Sequence, residues 1–199
     1  MPVFNNILAG ASGSAGGAAG YKIERSLRFD SASSSYLSRT PSSAGNRKTW
    51  TWSGWVKRTD GGTNKRGLFG VNSTGAMIRF NNDDGGSNLR VLDNASGGYD
   101  VITKAKFRDP SAWYHFVVSV DTTQSTAADR VKIYVNGVQE DTFYSASYPT
   151  QNQDLTFNTA AQHNIGRAGS SNNEYLNAYL AEVHFIDGQA LAATDFGEE

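Results

Sequence analysis

RVKIYVNGVQEDTF (residues 130–143) holds Asn136-Gly137 between two alternating runs. A two-residue type I′ turn needs positive φ at both central positions, and Asn-Gly meets that need at little steric cost. The stretch therefore predicts a β-hairpin. In two-residue register Val135 faces Val138, and Lys132 faces Asp141 as an opposite-charge pair. Glu140 falls opposite Ile133 on the apolar side, a misfit that marks a bulge or an edge position.

The same texture continues outward. KTWTWSGWVKR (48–58) is a long strand with Trp50, Trp52 and Val56 on one face and Trp55 on the other. AWYHFVVSVD (112–121) puts Tyr114, Phe116, Val118 and Val120 on one side. SLRFD, RGLFGV, AMIRF, NLRVLD, QHNIGRA and AYLAEVHFID add further strands, and QALAATDF (189–196) reads as a short helical turn. About a dozen short strands separated by Gly, Asn, Asp and Ser turns predict an all-β sandwich or barrel rather than a βαβ fold.

Composition excludes several function classes. The chain has 199 residues, enough for one well-cored domain with a tail. Its net charge of −1 gives no electrostatic footprint for nucleic acid. Without cysteine it has no disulfide, thiolate metal site or cysteine nucleophile. No apolar run approaches the roughly 20 residues that cross a bilayer, and the start lacks the basic and apolar blocks of a signal peptide. If the protein works outside the cell that made it, release by lysis within an assembled particle fits.

Residues 1–24 stand apart from the domain at 25–199. LAGASGSAGGAAG cannot bury enough apolar surface to offset its chain entropy. It reads as a flexible linker, or as an assembly arm that orders against a partner, with Pro2, Val3, Phe4, Ile7 and Leu8 as its apolar anchor.

Taken in order, SLRFDSASSSYLSRT, TWTWSGWVKR, LFGV, WYHFVVSVD, VKIYVNGVQ, HNIGRAG and YLAEVHFIDGQAL resemble a laminin-G-like domain of the concanavalin A-like jelly-roll superfamily over about residues 25–195. The resemblance implies two curved antiparallel sheets packed face to face, with loops at the rim. More narrowly, the Gly-Ala arm, RSLRFDSASSSYLSRTPSSAGNRKTWTWSGWVKR and AEVHFIDGQALAATDFGE look like virion proteins of tailed bacteriophages, especially of aquatic bacteria. That resemblance implies a tail-fibre-like virion component and homo-oligomer, trimeric by family expectation. Its partners would be other virion proteins through the arm and a host glycan or receptor. Relatives of this kind commonly continue past the final motif, so the chain reads as a short relative or as the first part of a longer fibre.

Chemistry has to come from the residues, because the fold hosts many functions. Retaining glycosidases need paired carboxylates about 5 Å apart. No Glu-x-Asp-x-Glu run exists here, so hydrolysis is the remote alternative and the expected protein is not an enzyme. Glu182 and His184, two apart on AEVHFID, read better as a solvated pair than as an acid and base. His115 reads as a half-buried packing histidine. His163 sits near a loop without a patterned partner, and three scattered histidines give no metal spacing.

Calcium is the metal that the loop chemistry admits, through Asp83, Asp84, Asp93 and Asn173, although Asp and Asn also simply build turns. For ligand binding, the polar loop YSASYPTQNQD (144–154) is the first choice, with Tyr144, Tyr148, Gln151 and Asn152. Tyr99 and Tyr175 are the other aromatic candidates. The four tryptophans read as core, leaving either a glycan-binding virion module or a structural virion brick such as a capsid decoration or tail adaptor.

Overall fold

The structure is a computed structural model that describes residues 23–61, 64–72, 75–81, 85–94, 98–169 and 174–196. It is an antiparallel β-sandwich, as the turn spacing predicts. One sheet has six strands in the order β1 (Leu27–Phe29), β13 (Ala178–Asp187), β3 (Thr49–Arg58), β8 (Tyr114–Asp121), β9 (Val131–Val135) and β10 (Val138–Gln139). The other has seven: β11 (Phe143–Ser147), β7 (Tyr99–Thr103), β6 (Asn88–Asp93), β5 (Met77–Asn81), β4 (Arg66–Val71), β12 (His163–Ile165) and β2 (Leu37–Arg39).

Alternation drives the packing. Trp50, Trp52 and Val56 of β3 and Phe116, Val118 and Val120 of β8 face inward and are fully buried. They meet Leu68, Ile78, Phe80, Leu89 and Val91 of the seven-stranded sheet. Each such side chain contributes about 1.5–3 kcal/mol on burial. Trp55 departs from the core expectation. It lies on the outer face of the six-stranded sheet, half-buried, stacked on His115 with ring centroids 4.9 Å apart.

The Asn-Gly hairpin forms with φ of 48° at Asn136 and 83° at Gly137, and with Val138 opposite Val135. Its second arm is shorter than the sequence suggests. After Gln139 only the Glu140 N–H continues the ladder, donating to the Ile133 carbonyl at 2.8 Å. The chain then crosses to the other sheet, where Phe143–Ser147 pairs with β7. The expected pair of Lys132 with Asp141 is therefore not made, and Lys132 lies 3.3 Å from Asp129. The misfit at Glu140 marks an edge, since β10 is the last strand of its sheet.

Two segments lie across the outer faces. Residues after β13 fold back over the six-stranded sheet, where Thr51 Oγ1 donates to the Gln189 carbonyl at 2.7 Å and accepts from the Leu191 N–H at 2.8 Å. The expected helical turn is a 3-10 turn, Ala193–Phe196, and Phe196 sits edge-on to His115. On the seven-stranded sheet, Ala168 covers Met77 and Leu92. The 1–24 arm, with Pro2, Val3, Phe4, Ile7 and Leu8, lies outside the described residues apart from its last two positions.

Candidate functional site

A short strand creates the site. β1 has three residues and pairs only with Ala178–Leu180. The second half of β13, His184–Asp187, pairs with β3 on one side and, among the described residues, has no strand on the other. Facing it across the sandwich are β12 and the edge strand β2. The gap between them is a cavity of about 620 Å³, lined also by residues 41–45 of the segment that leads from β2 toward β3. That volume lies within the usual range of small-ligand sites, about 300–1,000 Å³.

A bulge aims β13 into this gap. Ala181 pairs with Trp55 and His184 with Ser53, so two residues of β13 oppose one of β3. Glu182 takes the strain with φ of 45°. Beyond the bulge the alternation is shifted by one, as bulges require. Phe185 and Asp187 now share the inward register of Trp52 and Trp50, while His184 turns outward.

The floor is aromatic. Phe69 and Phe185 lie 5.3 Å apart by ring centroids, with His163 at 5.7 Å from Phe69 and 6.3 Å from Phe185. Phe157 and Trp50 back them, which fixes the rings in place. His163 is 8% exposed and its protonation state is set by two bonds. The Asn158 N–H must donate, so Nε2 accepts it at 3.1 Å, and Nδ1–H donates to the Ala161 carbonyl at 2.8 Å. Burial lowers its pKa from the ordinary value, and the bond to Ala161 opposes that only in part. The ring is held neutral.

The rim is polar and partly uncommitted. Asp187 Oδ1 accepts from the Asn46 N–H at 2.7 Å and from Asn158 Nδ2 at 2.6 Å. Asp187 Oδ2, Asn158 Oδ1 and the Arg39 guanidinium make no hydrogen bond or ion pair among the described residues, and all three residues line the cavity. Gly45 is required here, because a Cβ would collide with Asp187 Oδ2 and Asn158 Nδ2. Two acceptors and one cationic donor thus stand around a ring-lined pocket. Such a set can bind a hydroxyl-rich ligand. Among the described residues of the lining, Asp187 is the one carboxylate.

The ligand residues expected from sequence lie elsewhere. Tyr144 is exposed on β11, at the opposite edge of the seven-stranded sheet from β2. It is in a strand, so the expected loop begins later. Tyr148 packs partly against the core. Gln151 donates to the Thr123 carbonyl at 3.1 Å, and the Asn152 N–H donates to that of Thr122 at 2.7 Å, which makes this segment a braced turn. Tyr175 packs on Tyr36 at 6.1 Å, with the Arg167 guanidinium over both rings. Tyr99 is corrected outright: at 1% exposed it is a core residue of β7 with no face for a ligand.

Asp93 is corrected too. It is buried, and its carboxylate accepts from the Thr156 N–H at 2.7 Å and Thr156 Oγ1 at 2.9 Å, so it ties the 150s segment to β6 rather than serving an exposed calcium loop. Asp83, Asp84 and Asn173 lie outside the described residues. Among the described residues no three His, Asp or Glu side chains converge as a metal site. His115 is buried, with Nε2 2.8 Å from Ser53 Oγ. Glu182 and His184 form an exposed pair at 3.6 Å.

Missed by the sequence reading were Arg39, Asn158 and Asp187, and His163 was set aside. The available signal was slight: Asp187-Gly188 reads as a turn, and nothing local marks the bulge that points Asp187 inward.

Solved structures share the fold. Domains LG4-5 of the mouse laminin α1 chain align with a TM-score of 0.60 at 13% identity over 92% of this chain, which spans 47% of that one. The heptameric SAP-like pentraxin of Limulus polyphemus gives 0.56 at 14% identity, covering 81% of this chain and 73% of its own. Domain 4 of an extracellular arabinanase from Geobacillus stearothermophilus, solved with arabinotriose, gives 0.55 at 22%, covering 78% and 68%. No curated protein sequence matches. The family profile of the concanavalin A-like lectin/glucanases superfamily, in its laminin-G-like form, matches residues 30–195, and the chain belongs to that family.

Proposed function

We propose that this domain binds glycan without cleaving it, using the cavity between β2 and β13. One observation carries the reading: a ring-lined pocket whose rim acceptors, Asp187 Oδ2 and Asn158 Oδ1, have no partner among the described residues. Sugar rings offer apolar C–H faces and hydroxyl donors, and the pocket offers aromatic faces and acceptors.

The resemblance of the arm and of the first and last motifs to phage virion proteins supports a wider setting. In it the domain sits on a phage particle as a tail-fibre-like protein, released by lysis, mounted on other virion proteins through its arm and facing host glycan. Such modules work as homo-oligomers, trimers by family expectation, and many weak sites on one particle multiply into firm attachment.

The test is adsorption competition with purified protein. The unaltered protein is expected to bind host cells and leave phage unadsorbed, and soluble host glycan is expected to reverse this. Ser43→Trp, which places an indole at an exposed position of the cavity lining, should abolish both effects while leaving the melting temperature unchanged. Cell binding that survives Ser43→Trp would remove the cavity from the mechanism. Absence of any cell binding by the assembled protein would leave the structural virion role.

A further inference from the structure

We infer that the cavity selects sugars that carry a carboxylate, with Arg39 as the residue that reads it; this rests on the glycan-binding role proposed above. The rim is not uniform. Asp187 and Asn158 stand on the β13 side and offer oxygen acceptors. Arg39 stands on the β2 side, directly across the β2–β12 ladder from His163. The two charged side chains line one cavity without forming an ion pair with each other or with any described residue.

Both residues are exposed, so water solvates each charge and leaves it available to a ligand. A guanidinium and a carboxylate left apart at one pocket forgo their mutual attraction, and each keeps its capacity for a partner. A neutral sugar satisfies the acceptor side through its hydroxyls and leaves Arg39 to water. A carboxylated sugar satisfies both sides. Its hydroxyls donate to Asp187 Oδ2 and Asn158 Oδ1, and its planar carboxylate takes the planar guanidinium fork in a two-point contact. The orientation is fixed as well, because the acid group is drawn to Arg39 and repelled by Asp187.

Arg39 is free to do this. It is exposed on an edge strand, and its guanidinium has no role in holding the fold. The neighbouring wall is held uncharged by the two hydrogen bonds of His163, so among the described lining residues no second cation competes for the acid group.

The experiment is a glycan array printed in matched pairs, with each acid-sugar glycan beside its carboxyl-reduced neutral form, and with sulfated neutral glycans as a third set. Binding at least tenfold stronger to the acid member of a pair is expected. The preference should vanish in Arg39→Ala, persist in weakened form in Arg39→Lys, and shrink with added salt, while both variants keep the parent melting temperature. Equal binding to acid and neutral members overturns this inference and leaves the glycan reading intact. Stronger binding to the sulfated set overturns the choice of a carboxylate. No binding to any glycan overturns the glycan reading itself.

Discussion

The backbone N–H of Asn158 donates to Nε2 of His163 at 3.1 Å, and this bond exists only while His163 is neutral. Protonation would set two donors against each other beside the cavity. Burial already lowers the pKa of His163 below its ordinary 6.5. A histidine whose folded pKa is depressed contributes stability that is complete above the unfolded value and is lost as pH falls through the folded one. The melting temperature should therefore fall as pH drops below the ordinary 6.5, and the proposed glycan binding with it. His163→Phe keeps the ring wall and removes the titration. The difference between the melting curves of parent and variant should grow on acidification from about pH 7 to pH 4.5. A constant difference would show that His163 titrates alike in both states.

Ala168 lies directly on Gly70. A Cβ at Gly70 would collide with the Ala168 carbonyl, and one at Gly67 with the Ala168 N–H. On the same strand, the Gly67 N–H donates to the Glu174 carbonyl, and the Glu174 carboxylate meets buried Arg79 at 3.1 Å. Gly70→Ala must push backbone away from backbone, at a cost of about 3 kcal/mol. Gly188→Ala is the control. Gly188 has φ of +75° with open space around it, so only conformational strain of about 1 kcal/mol is expected there. Urea denaturation of the two variants should separate these values, and equal losses would show that Ala168 moves aside easily.

Asp60 joins two arginines. Its Oδ1 accepts from Arg58 at 3.0 Å and its Oδ2 from Arg66 at 2.9 and 3.0 Å. Arg58 is 1% exposed, bonded also to the Phe107 carbonyl and laid over the Phe80 ring. Burial alone would raise the pKa of Asp60, but the hydrogen bonds from Arg66 and Arg58 outweigh it and hold the carboxyl below the ordinary value. Its contribution is thus present above the unfolded pKa and fades as pH falls through the lower folded one. Asp60→Asn should lose about 2 kcal/mol at neutral pH, the modest end for a broken pair because Asp60 is itself partly exposed. The loss should shrink in strong acid, where the parent carboxyl is protonated as well. A loss that is the same at both pH values would assign the effect to packing.

Strand identity was legible because it is local. Trp50, Trp52, Phe116 and Val118 alternate, and Asn136-Gly137 has one preferred turn. What escaped is set by distance or by exception. Phe143 follows the hairpin in sequence but joins the other sheet, and no local pattern records that crossing. Asp93 and Tyr99 look like loop residues beside Gly and Asn, yet they close β6 and open β7 inside the core. Asp187 faces inward because Glu182 adopts a left-handed backbone, which a glutamate seldom does. The cavity itself depends on where β1 stops, and strand ends are the least legible feature of a chain.

The two candidate binding surfaces make opposite forecasts. Sequence reasoning favours Tyr144, Tyr148, Gln151 and Asn152, and the cavity lies at the other edge of the seven-stranded sheet. Tyr144 is 53% exposed and Gln151 is exposed, so Tyr144→Ala and Gln151→Ala remove contact groups with little expected change in stability, within about 0.5 kcal/mol. If glycan is held in the cavity, both variants should bind at the parent affinity, while Ala44→Trp, which puts an indole among the residues that line the cavity, should lower affinity about tenfold or more. Calorimetry on the four proteins settles the matter. Loss in Tyr144→Ala with retention in Ala44→Trp would move the site to β11 and its following turn. The distinction is physical. Tyr144 offers one ring on an exposed strand, where water competes for every polar contact, whereas Phe69, Phe185 and His163 form a fixed wall beside acceptors that have no partner among the described residues.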